Sequence, residues 1–480
     1  MSRQPSQGRT SINLSYHFSS QRICALPLLQ PSIRAQTRNT MKPSSKTDAL
    51  AYSLKTLWVF SLPMVMVGLG SMFYVFEFLL RDIPSVLTQQ LQWHFLVNDQ
   101  PTTLGQISLI SSFFMLGYAT CQIPAGIATD TYGPRKVLTA SMIACCLATF
   151  LFCLTHNMWL GALSRLTLGM FSACAFIAPL TLASRWFSPR YFAMIAGTVQ
   201  VLGCMGATFG QMYVAKLAES PNFNWVLCLN SIASIGLVIA ALFWLGLQDH
   251  PQSNSPKPQH RQQTLSALKH LLTRSQTWWI GLSAFACWAP IGVFAELWGP
   301  RFLMSQHHLT ESSATQHLFW LWMGVACASP ICGWLSDYIG KRVLPTLLLF
   351  TLAFTTSTLL VTQHHLSYLS LDVILFLLGT SAGIQPITFA MVTDQTSRTH
   401  IATAIALNNM AIVAGIFILQ PLIGGLLDVL WQGGFTPTGL RFYHTSTWQW
   451  ALSIIPCCSI IGFIGTALGV KETHCQYHAD

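Results

Sequence analysis

Gly126-Ile127-Ala128-Thr129-Asp130-Thr131-Tyr132-Gly133-Pro134-Arg135-Lys136 closes one long apolar run and opens the next. It returns further along as Gly333-Trp334-Leu335-Ser336-Asp337-Tyr338-Ile339-Gly340-Lys341-Arg342. A repeat so widely spaced marks two related halves rather than a solenoid, and each half is long enough for several membrane spans. In each copy a glycine, Gly126 or Gly333, allows another helix to approach closely near the end of a span. Asp130 or Asp337 follows one helical turn later, where the chain leaves lipid and a charge is tolerated. Gly133 and Gly340 permit a sharp turn, and Arg135-Lys136 and Lys341-Arg342 anchor it at the cytoplasmic face. One copy would read as an ordinary basic loop; two at matching positions read as a shared device.

Composition points the same way. The chain is 52% hydrophobic and 8% charged, where an ordinary soluble domain carries roughly 25% charged residues. A span takes about 20 apolar residues, so the 480 residues hold a dozen spans with short loops. The net charge of +10 would suit nucleic acid, but its distribution excludes that reading. Of the 25 Lys and Arg, Lys216, Arg301 and Arg441 fall on one side, Arg81 and Arg165 fall within spans, and the remaining 20 fall on the other side. This is the positive-inside bias of a polytopic protein with both termini cytoplasmic. The 14 cysteines lie mostly in apolar runs and show no zinc spacing, so neither a disulfide framework nor a metal is expected. His307-His308 and His364-His365 read as solvated loop histidines.

In chain order, residues 1–52 form a Ser-, Gln- and Arg-rich tail, expected to be disordered, for which Met41 offers an alternative start. A six-helix bundle is expected over 53–247, with apolar runs near 57–87, 105–129, 137–155, 159–183, 192–215 and 225–247. A polar cytoplasmic linker follows at 248–276. A second bundle over 277–470 has runs near 277–300, 315–337, 343–362, 370–393, 401–430 and 447–470, and residues 471–480 form a tail. The fold class is therefore an all-α membrane protein of twelve transmembrane helices in two six-helix halves. Gly197, Gly203, Gly206 and Gly210, and Gly379 and Gly383 ahead of Pro386, are expected to pack helices closely or to kink them beside a cavity.

Charges inside spans are costly and mark function. Tyr74, Glu77 and Arg81 share one face of the first span, where Glu77 and Arg81 also form a self-neutralising pair. Arg165 lies in the fourth span and Glu296, among aromatics with Trp288 and Gly292, in the seventh. An acid in such surroundings suits a proton carrier, and equally a partner to an arginine of the other half. Gln200, Gln385, Asn408 and Asn409 are amides within spans, and Trp298 is a further candidate cavity residue. No nucleophile–base pair or phosphate loop stands out, so no enzyme and no cofactor are expected.

The duplicated stretch resembles the loop signature of the major facilitator superfamily, between the second and third helices of each half; Thr131 and Tyr338 depart from the basic residue often found after the Asp. Arg165-Leu166-Thr167-Leu168-Gly169 resembles that superfamily's fourth-helix motif, whose arginine faces the central cavity. Phe73-Tyr74-Val75-Phe76-Glu77-Phe78-Leu79-Leu80-Arg81 resembles the first helix of its organic-anion and phosphate-ester members. Three segments, Gly117 to Gly126, Ala183 to Phe187 and Ala295 to Gly299, resemble the proteobacterial intraphagosomal (Pht) nutrient transporters. The resemblance implies a secondary transporter in a bacterial inner membrane, a monomer with a small-molecule substrate and protons as coupling ion.

The leading expectation is proton-coupled uptake of an amino acid. Arg81 and Arg165 would hold its carboxylate through charge-assisted bonds, with Tyr74, Gln200, Trp298, Gln385 and Asn408 around it. Glu77 or Glu296 would meet the ammonium or carry the proton. An organic-anion or nucleoside symporter, an exporter and a non-transporting sensor on the same fold are the alternatives.

Overall fold

Short polar residues start the helices on one face of the bundle. Thr103 accepts the backbone N–H of Gln106, whose side chain returns the bond, a reciprocal box that satisfies two otherwise orphaned donors. Asn157, Asn224, Thr310 and Ser367 cap the helices that follow them more simply, each side-chain oxygen accepting a backbone N–H of the first turn.

The computed structural model describes residues 46–97, 99–187, 192–249, 268–363, 366–396 and 401–475. The N-terminal tail up to 45, residues 250–267 of the linker, and His364-His365 lie outside the described residues. The described chain forms twelve long helices. In the first half they are α1 (Lys46–Val86), α2 (Leu104–Tyr132), α3 (Pro134–Leu154), α4 (Met158–Ser172, continued by Cys174–Trp186), α5 (Phe192–Ala218) and α6 (Trp225–Gly246). In the second half α7 comprises Ser275–Cys287, a π-helical stretch Ala289–Trp298 and Gly299–His307, and α8 is Glu311–Ile339. Then come α9 (Val343–Thr362), α10 (Tyr368–Thr380 and Ile384–Asp394 around a 3₁₀ turn, Ser381–Gly383), α11 (Ile401–Val429) and α12 (Thr445–Leu452 and Ile454–Gly469). Eleven of these are long and apolar enough to cross a membrane; α5, of comparable length, interleaves Gly, Gln and Thr with its apolar residues.

The packing repeats. In the first half α1 packs on α5, α2 on α4 and α3 on α6; in the second α7 packs on α11, α8 on α10 and α9 on α12. The halves meet where α2 packs on α11 and α5 on α8. This is the twelve-helix, two-half fold. Glycines explain the closest crossings. A Cβ on Gly117 or Gly169 would run into the backbone of Leu166 or Phe114, at the α2–α4 crossing. One on Gly324 or Gly379 would meet the backbone of Phe376 or Leu321, at the equivalent α8–α10 crossing. In α5, Gly203, Gly206 and Gly210 lie against Tyr74, Val75 and Leu79 of α1, the packing their spacing predicts, whereas Gly197 faces open space.

Three expectations need correction. Gly126 has no neighbour where a Cβ would sit and Gly333 meets only Pro386, at 3.9 Å, so the motif glycines make no close approach in this conformation. The seventh span, expected near 277–300, runs to His307 and leaves α geometry in its middle, where Pro290 and Pro300 remove two backbone donors. The polar linker ends sooner than 276: residues 268–273 are already helical and α7 starts at Ser275.

Candidate functional site

A proline prepares the site. Pro84 in α1 has no N–H to offer the Leu80 carbonyl, four residues back. Arg165 of α4 supplies the donors instead, with Nη1 at 2.8 Å from the Leu80 oxygen and Nη2 at 3.0 Å from the Arg81 oxygen. Arg165 is thus buried behind α1 and stacked 5.0 Å from Phe114, supporting the backbone that carries Arg81; it does not reach into an open cavity.

Arg81 itself lies roughly 8 Å before the end of α1, from the helical rise, and its guanidinium is surrounded by acids. Glu296 of α7 approaches to 3.1 Å, and Glu77 and Asp82 of α1 to 3.5 Å each. Phe78 covers one guanidinium face at 3.7 Å, a cation–π arrangement. All four ionic side chains are buried, Asp82 completely. The Arg81–Glu296 contact joins the two halves, as one reading of Glu296 anticipated. The geometry suits charge attraction more than hydrogen bonding: Arg81 Nη2, both Glu77 oxygens, Asp82 Oδ1 and Glu296 Oε2 lack hydrogen-bond partners. Three carboxylates face the Arg81 guanidinium, and with Arg165 behind α1 counted as the second cation the cluster is one positive charge short by formal charge.

Trp288 donates Nε1–H to Glu296 Oε1 at 3.4 Å and fixes that carboxylate's orientation. Tyr74 donates to Gln200 Oε1 at 3.2 Å, which brings these two candidates together beside Glu77. The other candidates are elsewhere. Trp298 donates to the Gln420 carbonyl at 3.2 Å and packs on Trp448 in the second half's core. Gln385 lies in the first turn of the second segment of α10 and is partly buried. Asn408 donates to Thr388 at 3.0 Å and borders a cavity of about 640 Å³ on the motif side, lined largely by Trp279, Leu282, Phe285, Ala411 and Ile418. That cavity is apolar, so Asn408 and the ionic cluster occupy different environments.

The duplicated motif forms the turns it was expected to form. Gly133 and Gly340 have φ of 85° and 69°, in the left-handed region that favours glycine. Arg342 pairs with Asp337 at 2.6 Å and Asp394 at 3.0 Å, while Ser336 donates to the Lys341 carbonyl. Arg135 lies over Trp244; the Asp130 side chain lies outside the described residues, and Lys136 is exposed on the first turn of α3. An unforeseen pair completes these turns. Asp249, three residues past α6, accepts the Arg135 N–H at 3.2 Å; Glu472, three residues past α12, accepts those of Arg342 and Val343 at 2.8 and 2.9 Å. Each acid caps the third helix of its own half.

On the opposite side the bonds cross between halves. Asp428 of α11 accepts from Thr103 Oγ1 at 2.6 Å and Gly105 N–H at 3.2 Å at the start of α2, and from Arg441 and Tyr443 at 3.2 and 2.9 Å. Gln211 of α5 donates to Asp82 at 3.1 Å and to the Ala295 carbonyl of α7 at 3.3 Å. This side is sealed.

Sequence reasoning missed Asp82, Gln211, Gln420, Asp249, Glu472 and Asp428. Asp82 carried a signal: it falls inside the same apolar run as Arg81, where any charge is costly. Asp249 and Glu472 carried a repeat signal, Gly246-Leu247-Gln248-Asp249 against Gly469-Val470-Lys471-Glu472. Gln211 and Asp428 carried none, since only the meeting of the halves gives them partners.

The family model described as Major Facilitator Superfamily matches residues 65–419. Among curated proteins the chain is similar to the hexuronate transporter of Bacillus subtilis, 24% identical over 52% of this chain and 59% of the relative. It is also similar to probable anion transporter 1, chloroplastic, of Oryza sativa, 27% identical over 50% of this chain and 47% of the relative. The matched stretch thus spans about half the length of these relatives. Among solved structures, a bacterial homologue of the human lysosomal transporter Spinster in an inward-facing, unoccupied conformation superposes with a TM-score of 0.68 at 14% identity, over 85% of this chain and 98% of the other. A D-xylose–proton symporter gives 0.67 at 13% identity, over 88% and 100%. At such identities these two speak for the fold alone.

Proposed function

The chain belongs to the major facilitator superfamily, and from that premise we propose that it is a proton-coupled secondary transporter of a small carboxylate-bearing solute, an amino acid in the first instance. One observation carries the reading: Arg81 is held between Glu77 and Asp82 of one half and Glu296 of the other, in a buried cluster with one carboxylate in excess. A substrate carboxylate entering the cluster would replace Glu296 on the Arg81 fork. An amino acid would bring an ammonium for the acid it displaces and leave the charge balance unchanged. A proton on one of the three carboxylates would balance the empty site. Gain and loss of the Arg81–Glu296 contact would then link occupancy to the approach of the halves, as alternating access requires.

A second reading, a proton-coupled organic-anion transporter, is favoured by the names of the relatives, a hexuronate transporter and a probable anion transporter. It requires a second proton, because an anion adds charge to a cluster already short of a cation. Counterflow in proteoliposomes separates the two, with a panel of labelled amino acids and hexuronates. Exchange of amino acids supports the first reading and exchange of hexuronates alone the second. No counterflow with any solute, in protein shown to be folded, would overturn both.

A further inference from the structure

The π-helical stretch of α7 has a defect that the sequence explains. Within it each carbonyl looks to the N–H five residues on, as Gly299 N–H to the Phe294 oxygen shows. The Ala295 carbonyl would look to residue 300, which is Pro300 and has no N–H. A buried carbonyl without a donor is costly. Gln211, reaching from α5 of the other half, fills that place at 3.3 Å with the same amide nitrogen that donates to Asp82 at 3.1 Å. Gln420 of α11 donates to the Gly292 carbonyl at 2.7 Å and holds the stretch from its own half. Glu296 is the next residue after Ala295, so the register of this stretch decides where its carboxylate stands against Arg81. In α register Gly299 N–H would pass to the Ala295 oxygen, four residues back, and Gln211 would no longer be needed there.

We propose that Gln211 is a positioning residue: through its amide, Asp82 of one half holds the π register of α7 in the other, and so keeps Glu296 on Arg81 and the side opposite the motif sealed. This deepens the transport reading of the same site and rests on it only for the purpose that sealing serves. An ionised Asp82 is a strong acceptor that fixes the amide on Ala295. A proton on Asp82 weakens that bond, frees the amide and allows α7 to take up α register. The charged and titratable groups facing this unit are Glu77, Arg81 and Tyr74 on α1, Arg165 on α4, Cys204 on α5, Glu296 on α7 and, nearby, Tyr118 on α2. All remain in the variants below, so the parent protein at each pH is the control.

The test is hydrogen exchange on the full chain in lipid, followed by mass spectrometry and corrected for the intrinsic pH dependence of exchange. Gln211→Leu removes both bonds; exchange should rise roughly tenfold in residues 99–108 and 428–444, while the turns at 132–134 and 340–342 keep the parent's rates. Gln211→Glu is the sharper variant. When ionised it cannot donate to Ala295 and it repels Asp82, so at about pH 8 it should match Gln211→Leu. When protonated its hydroxyl donates again, so on acidification below about pH 4 its exchange should return toward the parent's. If Gln211→Leu does not fold, the pH profile of Gln211→Glu decides alone. Parent-like exchange in both variants, a rise spread evenly over the whole chain, or a Gln211→Glu profile without acid recovery would each overturn the proposal. No substrate is involved, so failure here leaves the counterflow result standing, and failed counterflow leaves this result standing.

Discussion

Arg81 is the residue on which the transport reading depends, and its surroundings say which substitutions it tolerates. Its flat cation lies on Phe78 and faces three carboxylates from two directions. Lysine keeps the charge but offers one compact ammonium, so Arg81→Lys should lower counterflow on the order of a hundredfold although the charge balance is unchanged. Near-normal counterflow in that variant would show that the fork is not used. Glu296→Gln separates the roles of the acids. It imitates the protonated acid, so exchange should continue while accumulation driven by a pH gradient disappears. If Glu296→Gln still concentrates solute, the proton belongs to Glu77 or Asp82, and Glu77→Gln and Asp82→Asn tested in the same way identify which.

The elements show how far the sequence could be read. The apolar runs found the helices because lipid requires long unbroken hydrophobic segments, and the duplicated turn at Gly133 and Gly340 showed the two-half plan. Glu77, Arg81 and Glu296 were legible because a charge in such a run is anomalous. Asp82 was equally anomalous but lay near the run's end, where charge is commonplace. Gln211 and Asp428 were illegible because their partners, the Ala295 carbonyl and the start of α2, are set by packing between halves. Glycines misled at Gly126, Gly197 and Gly333: Gly126, for one, stands in open space, whereas Gly169 has the Phe114 backbone against it. Gly126→Ala should therefore be neutral in thermal unfolding, whereas Gly169→Ala should destabilise by about 1–3 kcal/mol; equal unfolding temperatures would contradict the assigned crossing. Glu472 adds a prediction in pH. Burial opposes its ionisation, but the N–H groups of Arg342, Val343 and His474 outweigh this and hold its carboxyl below the ordinary glutamate range. A folded value below the unfolded one stabilises the fold above the unfolded value, and that contribution is lost as pH falls through the folded one. Glu472→Gln should thus be less stable than the parent at neutral pH, with the gap closing on acidification below about pH 4. A gap independent of pH would rule out the capping role.

At the scale of the whole molecule, the two sides are built differently. On the motif side Asp249 and Glu472 each tie a helix start within one half, as do Arg342 and its two aspartates. On the opposite side Asp428, Gln211 and the Arg81–Glu296 pair join one half to the other. A rocking motion must break the second set and can leave the first intact, since bonds inside a rigid body do not change when it turns. Asp428 is the outermost of these links and takes four donors at once, two from the start of α2 and two from the segment between α11 and α12. Gly105 and Gly424 let the backbones of α2 and α11 meet beside it, and without the carboxylate that crossing loses the bonds from Thr103 and Gly105 that tie it shut. Asp428→Ala should therefore favour the conformation open on this side without unfolding either half. Spin labels on exposed Asn222 and Gln432, in a background lacking accessible cysteines, should report a longer distance in Asp428→Ala than in the parent. Labels on Tyr132 and Tyr338 at the two motif turns should move closer together at the same time. Lengthening on the sealed side without that approach would mean a frayed loop and not a rocking of the halves, and no change at either pair would deny Asp428 its part in the seal.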